Sequence, residues 1–135
     1  RVLTVTMTGD RLRTILEHGV SDSSLGKGGF LQVSGLSFTY NPAAPSGNRV
    51  QGEIRRASGG VIAGGDSVRV AVPVYPACEG GDGYAIPEAA PACASQASAP
   101  RAADLLVRYI GDSLKGEVTT PPAGRIMRAG NTNPG

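Results

Sequence analysis

Val2-Leu3-Thr4-Val5-Thr6-Met7-Thr8 runs directly into Gly9-Asp10-Arg11-Leu12-Arg13-Thr14-Ile15-Leu16-Glu17-His18, and the change of period inside this stretch decides the fold class. The first part alternates apolar and polar side chains and is rich in β-branched Val and Thr, as a half-buried strand requires. From Gly9 to His18 the apolar residues fall at Leu12, Ile15 and Leu16, the i, i+3, i+4 spacing of a helix stripe. Thr8 is placed to cap its first turn and Gly19 to end it. Strand patterns then dominate. Phe30 to Val33 reads as a strand interrupted at Gly35, and Leu36, Phe38 and Tyr40 alternate with polar residues. After a turn from Asn41-Pro42 to Gly47, Val50 to Arg56 reads as a solvated antiparallel strand ending at Gly59-Gly60. Gly64-Gly65-Asp66 is a further turn, and Val68 to Val74 is apolar almost throughout, which predicts a central strand buried on both faces. A second helix is predicted from Ala102 to Leu114, with Leu105, Leu106, Tyr109 and Ile110 on one face. These elements predict an α+β domain: a mixed β-sheet with packed helices.

At 135 residues with 40% hydrophobic content the chain suits one domain with one core. Gly 20 and Pro 10 make it loop-rich. A net charge of +2 falls far short of the basic surface needed to bind polymeric nucleic acid, which is therefore not expected as a partner. No apolar run reaches the roughly 20 residues of a membrane span, so none is expected, and no signal peptide is legible. An opening of Arg1-Val2-Leu3, without Met, reads as a piece of something longer. From Pro87 to Pro100 the chain is an Ala/Pro/Ser-rich insertion, and residues 127–135 read as a flexible tail.

Cys78 and Cys93 flank that insertion. A disulfide between them would restrict the unfolded chain by roughly 3 kcal/mol and would place the protein in an oxidising compartment. Two unpaired thiols are the alternative.

Absences narrow the chemistry. His18 is the one histidine, so this chain cannot assemble a multi-imidazole metal centre, and at a helix C-terminus the residue reads as a cap. Gly26-Lys27-Gly28-Gly29 lacks the glycine spacing and hydroxyl of a phosphate loop. No cofactor is expected in this chain. The residues that invite a ligand are Tyr75 and Gly80-Gly81-Asp82-Gly83. A carboxylate framed by glycines can meet a hydroxylated ligand at close range, and an aromatic can stack on a planar ring. On composition alone the plainer readings are preferred: Tyr75 as a core aromatic with its hydroxyl at the surface, Asp82 as a turn residue bonding its own backbone.

Four stretches alter that balance. Val5 to Val20, Phe30 to Val50 with Tyr40-Asn41-Pro42 and Gly47-Asn48-Arg49, Val68 to Tyr84 with Gly80-Gly81-Asp82-Gly83, and Pro121-Pro122-Ala123-Gly124-Arg125-Ile126 occur in the order seen in one family. The chain resembles the C-terminal domain of the 5'-nucleotidase, UDP-sugar hydrolase and 2',3'-cyclic nucleotide phosphodiesterase family. The resemblance covers residues 1–126, as an N-terminally incomplete version of that domain.

The resemblance implies a periplasmic or extracellular phosphohydrolase whose divalent metal ions lie in an N-terminal metallophosphatase domain not contained in this chain. It also implies a C-terminal domain that binds nucleoside or nucleotide. Tyr75 matches the second of two aromatics that sandwich the base, and Asp82, within Gly80, Gly81 and Gly83, matches the acid that bonds the ribose. The first aromatic and the substrate-binding arginines would precede Val2, leaving half a site and no catalytic residue here. The family usually has Asn-Asp where this sequence has Pro73-Val74, and Tyr75 to Asp82 is one residue longer than usual. A non-catalytic interaction or structural module, or an accessory domain of an extracellular nuclease, are the other readings.

Overall fold

The computed structural model describes residues 1–22, 28–120 and 123–130. In chain order the elements are β1 (Val2–Thr8), α1 (Gly9–Gly19), β2 (Leu36–Tyr40), β3 (Val50–Arg56), β4 (Val61–Ile62), β5 (Ser67–Pro73), α2 (Val74–Cys78), α3 (Ala90–Cys93), α4 (Ala102–Arg108) and β6 (Ile126–Arg128). Short 3-10 turns lie at Gly81–Gly83, Pro87–Ala89 and Gln96–Ser98, and a wider turn of π type covers Tyr109–Ser113. This is the expected α+β architecture with mixed strands. It divides into two compact units, each drawn from two separated segments: residues 1–7 with 69–122, and 8–68 with 123–135.

The second of these units is a four-stranded sheet in the order β4-β3-β2-β6 with α1 against β3. β2 runs antiparallel to β3, with Leu36 opposite Arg56 and Tyr40 opposite Val50, and parallel to β6, with Phe38 opposite Ile126. The β2–β3 register shifts between Ser37 and Thr39, where β3 carries Gly52 in the left-handed region at φ 63°. Thr8 caps α1 as predicted, its hydroxyl accepting from the Arg11 amide. Leu12, Ile15 and Leu16 are buried, as are Phe38, Tyr40, Val50 and Ile54 on the sheet. The Glu17 carboxylate accepts the backbone N–H groups of Arg49 and Val50, at 2.8 Å each. The Arg49 guanidinium donates to the carbonyls of Ala44, Val20 and Ser21. Gly9 is glycine for a steric reason: a Cβ there would fall 2.0 Å from the carbonyl oxygen of Ala63.

In the other unit β1 pairs with β5 as a two-stranded sheet. Leu3, Val5 and Met7 of β1 are buried with Val72, Val74, Ala77, Tyr84, Ile86 and Ala89.

Several local expectations change. β5 is not buried on both faces: Val68 and Val72 are buried, but Arg69, Ala71 and Pro73 are exposed, because its two-stranded sheet is covered on one side. Phe30 to Val33 forms no strand; Phe30 instead packs edge-on against Tyr40 with ring centroids 6.0 Å apart. The second helix stops as α4 at Arg108 and widens into the turn containing Gly111, a poor helix former. Its apolar residues are not a buried face, with Leu106 57% and Tyr109 56% exposed. Met127 and Arg128, assigned to a tail by composition, pair with Thr39 and Tyr40. The loop reading at residues 23–27, Pro121, Pro122 and residues 131–135 lie outside the described residues.

Candidate functional site

Tyr75 does not end a strand. Pro73 caps a single helical turn, α2, with Val74, Pro76 and Ala77 buried and Tyr75 on the solvent side, 55% exposed. Pro76 is tolerated because it occupies the first turn, where its missing N–H has no helical partner to lose. After α2 the chain reverses through Gly80-Gly81-Asp82-Gly83. Gly80 (φ 64°), Asp82 (φ 56°) and Gly83 (φ 78°) are all left-handed, while Gly81 is not. The amides of Gly83 and Tyr84 donate to the carbonyls of Gly80 and Gly81, at 3.0 and 3.3 Å, and close the turn. Asp is among the few side chains that accept such a conformation.

This reversal brings Gly81 under the Tyr75 ring. A Cβ added to Gly81 would fall 2.3, 2.4 and 2.4 Å from Cε1, Cδ1 and Cζ of that ring. Near-equal distances to three consecutive ring atoms place that position over the ring face, since an approach at the edge would be much closer to one atom than to its neighbours. Gly81 is therefore the seat of Tyr75. One ring face is covered by the glycine Cα, and the exposed surface belongs to the opposite face and the rim.

Asp82 is exposed next to this seat, and Tyr84, two residues further on, is buried. Burial, and secondarily the negative charge of Asp82, push the Tyr84 phenol up to about 12. The hydroxyl thus stays protonated at any physiological pH.

Cys78 and Cys93 are joined in a disulfide with Cα atoms 5.6 Å apart, as one of the two sequence readings expected. The bridge ties α2, which carries Tyr75, to α3. Sequence reasoning singled out Tyr75, Gly80, Gly81, Asp82 and Gly83, and the fold gathers them at one reversal. The role of Gly81 as a ring seat left no signal in the sequence, where it is one glycine among several. Among the described residues no group of three or more His, Cys, Asp or Glu side chains could hold a metal ion, and no helix is long and apolar enough to cross a membrane.

The chain is thus a mixed α+β domain with a glycine-framed acid beside an exposed aromatic. Residues 1–89 match the family described as 5'-nucleotidase, C-terminal domain, and the chain belongs to it. Solved structures extend the likeness. A 5'-nucleotidase precursor from Thermus thermophilus is 27% identical with a TM-score of 0.70, over 94% of this chain and 25% of that one. The sulfate thiohydrolase SoxB from Thermus thermophilus, solved with glycerol, is 20% identical with a TM-score of 0.62, over 96% and 22%. A putative 5'-nucleotidase from Staphylococcus aureus, solved with alpha-ketoglutarate, is 17% identical with a TM-score of 0.61, over 94% and 27%. The chain thus spans about a quarter of the length of each of these proteins. No curated protein matches it by sequence.

Proposed function

We propose that this chain is the nucleoside-binding domain of a longer, secreted 5'-nucleotidase-type metallophosphohydrolase. In that protein it would hold base and ribose while a phosphate ester is cut at divalent metal ions in a separate N-terminal metallophosphatase domain. The described residues of this chain do not fit those metals, and no catalytic step is assigned to them. The observation that carries the reading is the Tyr75 ring resting with one face on Gly81 beside the exposed Asp82. A ring so held presents a flat surface for a base, and a carboxylate beside it accepts hydrogen bonds from ribose hydroxyls. Binding energy gained there, remote from the phosphorus, can be used to position the phosphate for attack. The disulfide supports a periplasmic or extracellular location.

Relatives of the same fold carry different names, so fold alone does not choose the ligand, and the test must address the ring and the acid. The chain alone should bind nucleosides weakly, near a millimolar dissociation constant, or about 4 kcal/mol. Ligand-detected NMR with adenosine, deoxyadenosine and uridine reads such affinities. Tyr75→Ala should weaken all three alike, because stacking reads no base edge, and Asp82→Ala should erode the preference for ribose over deoxyribose. The domain should release no phosphate from adenosine monophosphate with added manganese or zinc. If neither substitution changes nucleoside binding by the chain or by a longer protein containing it, Tyr75 and Asp82 belong to a structural or interaction module instead.

A further inference from the structure

We propose that the Cys78–Cys93 disulfide is a positioning device for Tyr75: by tying α2 to α3 it keeps the ring on Gly81, so that breaking this one bond unseats the ring and lowers affinity for nucleosides. The second half of the proposal rests on the nucleoside reading above; the first half does not.

α2 has five residues and no side-chain cap at Pro73. Isolated helices shorter than about 12–15 residues are marginal in water, so α2 holds its shape only through what it is tied to. Three ties are visible. The Val74 amide donates to the carbonyl of Arg1 at 3.0 Å. Val74, Pro76 and Ala77 are buried on its inner side, and Cys78 is bonded to Cys93 at its end. Cys78 follows Tyr75 by three residues, the spacing that places two side chains on neighbouring positions of one helix surface. The bridge therefore anchors the part of the turn from which the ring projects. Beyond Cys78 the chain passes through Glu79 into the left-handed Gly80, where α2 ends.

The seat makes the ring sensitive to small shifts of this turn. Gly81 meets Tyr75 with backbone alone, and the ring is half exposed, so it lacks the enclosing side chains that fix a core aromatic. If the end of α2 frays, the ring leaves the glycine and rotates into water. Both cysteines are only part-buried, within reach of a small dithiol. Such a reductant breaks the S–S bond, leaves two cysteine thiols and itself closes to a cyclic disulfide.

The Gly81 Hα that points at the ring gives a readout that needs no ligand, because a proton over an aromatic face is shifted upfield by the ring current. Proton–carbon spectra of the full chain would be compared in the oxidised form, after dithiothreitol, and in the Cys78→Ser/Cys93→Ser variant. The methyls of Val5, buried in β1, report in the same spectra whether the surrounding unit stays folded. The expected result is an upfield Gly81 Hα in the oxidised chain that returns toward the ordinary glycine position in both other samples, with Val5 unmoved. Adenosine affinity should fall about tenfold, the size of one lost stacking contact. An unmoved Gly81 signal after reduction overturns the proposal. So does joint loss of the Gly81 and Val5 signals, which would make the bridge a general staple. If the Gly81 signal responds but Tyr75→Ala leaves adenosine binding by the oxidised chain unchanged, the positioning role stands and the nucleoside reading falls.

Discussion

Gly81→Ala separates a ring platform from a core aromatic, because its backbone is not left-handed and alanine adds no conformational strain. The added methyl would lie 2.3–2.4 Å from three atoms of the Tyr75 ring. Comfortable carbon contacts begin near 3.5 Å, so the ring must retreat by more than about 1 Å. If it stays in place, overpacking costs about 1–3 kcal/mol. If it swings into solvent, the cost is the loss of its buried part. Tyr75 is 55% exposed, so that part is roughly 90 Å², or about 2 kcal/mol at 25 cal/mol per Å². The cheaper route sets the outcome, and stability should fall by about 1–2 kcal/mol. Nucleoside affinity should fall more sharply, by the stacking share of about 1–3 kcal/mol, or roughly 5- to 150-fold. Urea denaturation and NMR titration with adenosine measure the two quantities. Gly80→Ala is the control: at φ 64° it is strained, but its Cβ would meet only the Tyr84 carbonyl oxygen at 3.6 Å, so stability should drop while affinity holds. A stability loss above about 3 kcal/mol for Gly81→Ala would refute the reasoning by making Tyr75 a buttress of the core. Unchanged affinity in a Gly81→Ala protein whose Tyr75→Ala counterpart is impaired would refute it too.

Glu17→Ala should cost about 2–3 kcal/mol in urea denaturation, since it leaves the Arg49 and Val50 amides without the carboxylate they share. Gly9→Ala should prevent or severely weaken folding, because its Cβ meets a backbone carbonyl at Ala63. Gly64→Ala should be mild by circular dichroism melts, because the three atoms nearest its Cβ all belong to the movable carboxylate of Asp10. Tyr84, raised from 10.0 to about 12, favours the folded state fully below pH 10, and that contribution is lost as pH rises toward 12. The decline in stability over that window should be shallower in Tyr84→Phe.

Local pattern determined much of this protein. The period change at Thr8-Gly9 gave β1, its cap and α1, because strand and helix differ in the spacing of their apolar residues and a hydroxyl at the junction bonds the first free amides. β3 was equally legible from Val50 to Arg56, and the spacing of the two cysteines allowed the bridge. What failed were judgements about cover. Val68 to Val74 looks doubly buried, yet β5 has one buried face, because burial depends on how many strands and helices the rest of the chain supplies. The stripe at Leu105, Leu106 and Tyr109 has helix period but stays exposed for the same reason. β6 was missed because three residues carry no period, and only pairing with β2 makes them a strand. At the site the sequence supplied the residue types, Tyr75, Gly81 and Asp82. Tertiary structure alone decided that the ring lies on the glycine, since that contact depends on a reversal built by left-handed residues at 80, 82 and 83, whose consequence in space no spacing rule encodes.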